Sequence, residues 1–163
     1  MRAIGMLVLA IALAAAGKAQ GQTTTTKKSL TLDGAKAVAA AAAGEAKRGS
    51  EGGSIAIVDD GGNLMYLERI QPTFPMGAHI ATEKARTAAL FQRPSKVLED
   101  VIISGRTTLL SVVPAPLQGG EPIVVDGQIV GAIGVSGATS AARDQVIAAA
   151  GAAALAGKTS ASR

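Results

Sequence analysis

The chain has 163 residues, a length that fits one domain, and 48% of them are hydrophobic, enough to build a core. It has no cysteine, so disulfides, thiol nucleophiles and thiolate metal sites are all excluded. Aromatic residues make up only 2%, and that core must be built from Ala, Val, Ile and Leu, which favours close helix-sheet packing.

Arg2 precedes an apolar run from Ala3 to Ala16, then small residues, which is the layout of a secretory leader. Residues 1–19 are assigned to it, and cleavage after Ala16 or Ala19 fits. Removing them takes Arg2 and Lys18, two basic residues and no acidic one, so the formal charge of +4 falls to +2. That balance argues against a nucleic-acid partner. No later apolar run of about 20 residues follows, which argues against a stable membrane anchor, and the lack of cysteine excludes a lipoprotein. The expected location is periplasmic or secreted.

Residues 20–28, rich in Thr, read as a disordered polar spacer. The domain is placed at 29–157, with a flexible tail at 158–163. Thr31 is a helix cap, Asp33 sits in the first turn and Lys47 and Arg48 close the alanine-rich helix that follows. Gly49–Gly53 breaks it. Ile55 and Ile57, the turn at Asp59-Asp60-Gly61-Gly62, and Leu64 to Leu67 then predict a β-hairpin. Two prolines in 71–75 make a loop, and Phe74 and Met76 are expected to line what the next helix faces.

That helix, Gly77 to Pro94, holds the only histidine. At about 100° per residue, Ile80, Lys84, Thr87 and Phe91 stack on one side with Ala81, Ala85 and Ala88 beside them. His79, Thr82, Glu83 and Arg86 fall on the polar side. Lys84 is therefore the anomaly. Its stem either snorkels along apolar surface, or its amine points into a ligand pocket or a carboxylate-lined interface.

Pro94 is read as the helix stop and Ser95 as the cap of a short helix over 96–103. Residues 104–117 predict a loop with one short strand, limited by Pro114 and Pro116. A second hairpin turns at Asp126-Gly127, between Ile123–Val125 and Gln128–Val135. Gly131, Gly134 and Gly137 mark the close approach of a helix, another subunit or a ligand. Thr139 or Ser140 caps a last helix over 141–156.

The predicted fold is α/β of the α+β kind, an antiparallel sheet of about five strands flanked by helices. Nucleophilic catalysis would have to use His79 as its only imidazole base, and Gly134-Val135-Ser136-Gly137 is not a nucleophile elbow. A closed zinc site lacks ligands, and no dinucleotide fingerprint or Walker lysine is present.

Two stretches carry a family resemblance. They are Lys84-Ala85-Arg86-Thr87-Ala88-Ala89-Leu90-Phe91 with Arg93-Pro94-Ser95, and Gly119-Gly120-Glu121-Pro122-Ile123 through Gly131–Ala138 to Asp144. From Ser29 to Leu155 the chain resembles the GlcG/HbpS family of haem-binding proteins. The resemblance implies a profilin-like domain, homo-oligomers that are commonly octamers, and haem or redox-stress sensing in exported members. It also implies that Thr87, in the KAxTA segment, contributes to a haem site. Lys84 and Thr87 would then pair with haem propionates or flank the macrocycle, with Arg86 as a further cation and Met76 or His79 approaching iron. His79 is the candidate metal ligand. The family name ascribes haem degradation to some members, and a classical enzyme is not the expected activity here. Two other readings stand beside it: an enzyme or accessory protein for a small glycolate-type carboxylate, clamped by Lys84 or Arg86, and an oligomeric partner of a membrane sensor.

Overall fold

A computed structural model describes residues 23–157. The predicted leader, residues 20–22 of the spacer and the 158–163 tail lie outside the described residues. The elements run α1 (Leu32–Arg48), β1 (Gly53–Asp59), β2 (Leu64–Ile70), α2 (Gly77–Phe91), α3 (Ser95–Ile103), a 3-10 turn (Thr107–Ser111), β3 (Gly120–Val125), β4 (Gln128–Ser136), α4 (Ala141–Ala152) and a 3-10 turn (Ala153–Leu155).

One four-stranded antiparallel sheet has the order β2-β1-β4-β3. The expected fifth strand does not form. Its segment makes a 3-10 turn and an irregular strap, since prolines at 114 and 116 withhold two of the N–H donors a strand ladder needs. The strap is instead tied by side chains. Thr87 Oγ1 accepts from the Ala115 amide at 3.0 Å, and Ser95 Oγ donates to Leu117 O at 2.6 Å.

Strand alternation sorts the core into two unequal halves. Ile55, Ile57, Ile133, Val135 and Ile123 point toward α1 and α4 and form the larger cluster with Val38, Ala42 and Ile147. Ala132 and Val58 face the other way and pack with Ala85, Ala88 and Ala89 of α2. On that side the helix backbone lies almost on the sheet. A Cβ at Gly134 would stand 2.0 Å from Ala81 O, and one at Gly120 2.3 Å from Lys84 O. The expected close approach at Gly134 is therefore a helix of the same chain.

Caps hold where the sequence offers them. Thr31 Oγ1 accepts from Gly34 N at 3.1 Å, and Ser140 Oγ, rather than Thr139, accepts from Arg143 N at 3.2 Å. Both hairpins form, and the Asp126-Gly127 turn has positive φ at both residues, 48° and 75°. Three local expectations are corrected. Gln92, in the left-handed region, ends α2 before Pro94 is reached. Ser95 is the first residue of α3 and not its cap, because its hydroxyl is used by the strap and accepts from Gly120 N at 2.8 Å. The last α-helix stops at Ala152 and tightens into a 3-10 turn.

The stretch Thr23–Lys28 has no helix or strand, yet its end is anchored at the hairpin tips. Lys27 pairs with Asp60, while Lys28 pairs with Asp126 and its amide donates to Gln128 Oε1 at 3.0 Å.

Candidate functional site

Helix α2 is laid on the sheet by its small residues: Ala81, Ala85 and Ala88 are fully buried. Lys84 is on the same face and only 3% exposed. It does not snorkel. Its ammonium donates to Asp144 Oδ2 at 2.8 Å and to Val135 O at 2.9 Å, while Asp144 Oδ1 accepts from Ala138 N at 3.0 Å. The amine is thus aimed at a carboxylate from α4 of its own chain, and the pair joins α2, the end of β4 and the first turn of α4. A buried charge needs such a partner, since leaving it alone in the interior costs several kcal/mol.

Thr87 is fully buried, and the Ala115 amide occupies its hydroxyl. Gln145 continues this polar seam by accepting from Gly119 N at 3.0 Å and donating to Glu121. Burial raises the Glu121 carboxyl above its usual range, against the pull of the Gln145 amide. No buried side-chain nitrogen or oxygen among the described residues lacks a partner. Lys84 and Thr87 therefore share a face, as their spacing requires, but that face is closed by protein.

The other named residues lie in the open. His79 and Met76 are exposed, with Phe74 exposed beside them at the entrance to α2 rather than under it. Arg86 is half-buried on the outward side, where its Nε donates to Gly62 O at 3.0 Å and it pairs with Glu83 at 2.7 Å. The structure groups Lys84 with Thr87 inside, and His79 with Met76 outside.

Sequence reading missed a second polar cluster. Glu51 is buried and accepts from Thr139 N at 2.8 Å, from the Thr139 hydroxyl at 2.9 Å and from Arg143 Nε at 3.0 Å. The Thr139 amide is the first cause of its lowered carboxyl pKa, which burial opposes. Lone residues 88 to 92 positions apart carry no periodic signal, so nothing in the sequence could have paired them. An open cleft of about 620 Å³ adjoins Glu51 and is lined by Lys47, Glu68 and Ile70 among others, but by none of the candidate site residues named from sequence.

Among the described residues no helix is long and apolar enough to cross a membrane, and no group of three or more His, Cys, Asp or Glu could hold a metal. Fold and site together define an α+β domain with helices on both faces of a small antiparallel sheet and a solvent-facing imidazole on one of them.

Comparison with known proteins makes the assignment specific. Residues 30–153 match the family described as haem degrading protein HbpS-like, and the chain belongs to that family. GlcG of Escherichia coli K12 is 47% identical over 93 residues, covering 56% of this chain and 69% of that protein. The crystal structure of a double mutant of Streptomyces reticuli HbpS superposes with a TM-score of 0.74 at 31% identity, covering 92% of this chain and 99% of that one. A PduOC:heme complex matches with a TM-score of 0.70 at 25% identity, over 79% of this chain and 96% of the other.

Proposed function

We propose that this protein binds haem and is exported, acting in haem or redox-stress handling as a homo-oligomer rather than as a classical enzyme. Membership of the HbpS-like family carries the reading, and a structural relative described as a haem complex supports it. The leader-like N-terminus supports export. Exposed Val97, Ile103, Leu110 and Val112 on and after α3 are what assembly would cover, and an oligomeric surface could also serve a membrane sensor.

The residues present fit haem at the surface and not beneath α2. His79, the only imidazole, is exposed and free to offer a ring nitrogen to iron, with the Met76 thioether nearby in sequence and also exposed. Lys84 and Thr87 do not fit as direct contacts, because their polar atoms already bond Asp144, Val135 and Ala115. The small-carboxylate reading loses its Lys84 clamp for the same reason, since Lys84 is buried in a pair, and keeps only Arg86, whose guanidinium is partly committed to Glu83 and Gly62. When bound, haem supplies an iron centre open to redox chemistry. The chain would hold that group by the His79 imidazole, by cations for the propionates and by apolar contact.

Titration of the protein with hemin tests this. A saturable Soret shift is expected, and a spectrum that is the sum of free hemin and protein would rule the reading out.

A further inference from the structure

We infer that the haem-contacting surface is the uncovered trough between α2 and β2, with Leu64 and Leu67 as its floor. This rests on the haem reading above and gives that reading a location.

Register defines the floor. Opposite Ser54, Ala56 and Val58 of β1 stand Arg69, Leu67 and Leu64 of β2. Val58 packs under α2 in the cluster with Ala85, Ala88 and Ala89, and the Ser54 hydroxyl lies 3.1 Å from where a Cβ on Gly77 would be. Hence Arg69 and Leu67 project on the α2 side of the sheet, and the register shift that skips Met65 sets Leu64 opposite Val58 on that side as well. The helix lies over β1, β4 and β3 and reaches β2 only marginally, and Leu64 and Leu67 remain 48% and 40% exposed. On the opposite face of the same strand, Tyr66 and Ile70 are packed against the core.

The flank of α2 nearest β2 forms the wall. It is located by Arg86, which donates to Gly62 O at the β1–β2 turn, and by Leu90, whose side chain lies 3.5 Å from where a Cβ on Gly62 would be. Helical spacing puts Ala78 and Thr82 on this flank, between the buried Ala85 and Ala89 and the outward His79 and Arg86. Both are small and half-buried, and the Thr82 hydroxyl is folded back onto Ala78 O at 2.9 Å. A wall of short side chains beside two exposed leucines leaves room for a flat apolar ring.

Charge commits the trough to an occupant. Arg69 is exposed and has no ion-pair partner among the described residues, and Arg86 keeps guanidinium N–H groups beyond those given to Gly62 and Glu83. Two cations edging an apolar floor match a planar macrocycle with two carboxylates on its rim, and His79 stands on the helix crest above them. An uncharged apolar ligand would have no use for the arginines, and a small dicarboxylate none for the leucines.

Hemin titration of the purified full chain by Soret absorption tests the location, using wild type, Leu67→Glu, Arg69→Ala and the distant control Val146→Glu, at an exposed position of α4. Leu67→Glu should weaken hemin by about tenfold or more, Arg69→Ala by a smaller factor, and Val146→Glu should match wild type. Far-UV circular dichroism and the thermal midpoint establish that each variant is folded. In wild type, ferric haem should broaden the backbone amide signals of Leu67, Arg69, Ala78 and Thr82. Wild-type affinity in folded Leu67→Glu, or broadening centred on Ala115–Leu117 or on the Lys47–Glu68 cleft instead, would overturn the trough while leaving haem binding intact. Absence of any Soret change in wild type would overturn the haem reading and the trough with it.

Discussion

Helix α2 carries polar residues on two opposite sides, and the two sides behave differently. Inward, Lys84 and Thr87 lie among alanines and are closed by Asp144, Val135 O and the Ala115 amide. Outward, His79 and Arg86 reach solvent or the hairpin edge, and their neighbours on the helix flank, Ala78 and Thr82, are only half-buried. A polar residue within an apolar arc can thus be a fastener between elements rather than a ligand contact. What separates the two is whether its polar atoms are already enclosed and partnered by the protein itself.

The strongest break of the inward side is Asp144→Ala, which leaves the Lys84 ammonium buried and unpaired. A loss of about 3–5 kcal/mol is expected in urea unfolding, a large share of a typical domain's stability. The double variant Lys84→Met with Asp144→Leu should recover most of that loss, because it removes the uncompensated charge instead of stranding it.

Thr87→Val keeps the shape and removes the acceptor for the Ala115 amide. A cost of about 1–3 kcal/mol and faster amide exchange at Ala115 are expected, with hemin affinity unchanged. Weakened hemin binding in a fully folded Thr87→Val protein would move the ligand to the inward side and undo the contrast between the two faces.

The first turn of α4 offers a way to sharpen it, since Asp144 faces α2 while Arg143 faces Glu51. Because the Thr139 amide holds the Glu51 carboxyl below its ordinary range, the stability this group confers is full above its unfolded pKa of about 4.3. It is lost as pH falls below that value toward the folded one. Unfolding midpoints taken from pH 6 down to pH 3 should fall less steeply in Glu51→Gln than in wild type.

The smallest stability effect is expected from His79→Ala, within about 0.5 kcal/mol, as for other exposed positions free of special contacts. Its effect belongs in the spectrum. The absorption bands of the hemin complex should shift with the loss of an imidazole ligand, and an unchanged spectrum would take His79 out of the site.

Much of the frame was legible in the chain. The two hairpins announce themselves by Asp-Gly and Asp-Asp-Gly-Gly turns between β-branched runs, and α1 and α4 by Thr31, Ser140 and their first-turn carboxylates. These are local signals, set by backbone conformations that a few adjacent residues prefer or forbid. The segment 104–117 was not legible as it stands, because its anchors are Thr87 and Ser95, some 20 to 30 residues away.

The sequence alone determined the helices and hairpins outside 104–117, the helical arc that places Lys84 beside Thr87, and the absence of thiol chemistry, since each depends on neighbouring residues or on composition. The tertiary structure decided what those side chains meet. Periodicity gives a direction from the helix axis but not the group waiting there. Asp144 lies 60 residues from Lys84, and only packing α4 against the far end of β4 brings its carboxylate within 2.8 Å. The open flank of α2 has the same origin, for it exists because the helix lies over three strands of the sheet and reaches β2 only marginally, leaving Leu64 and Leu67 exposed.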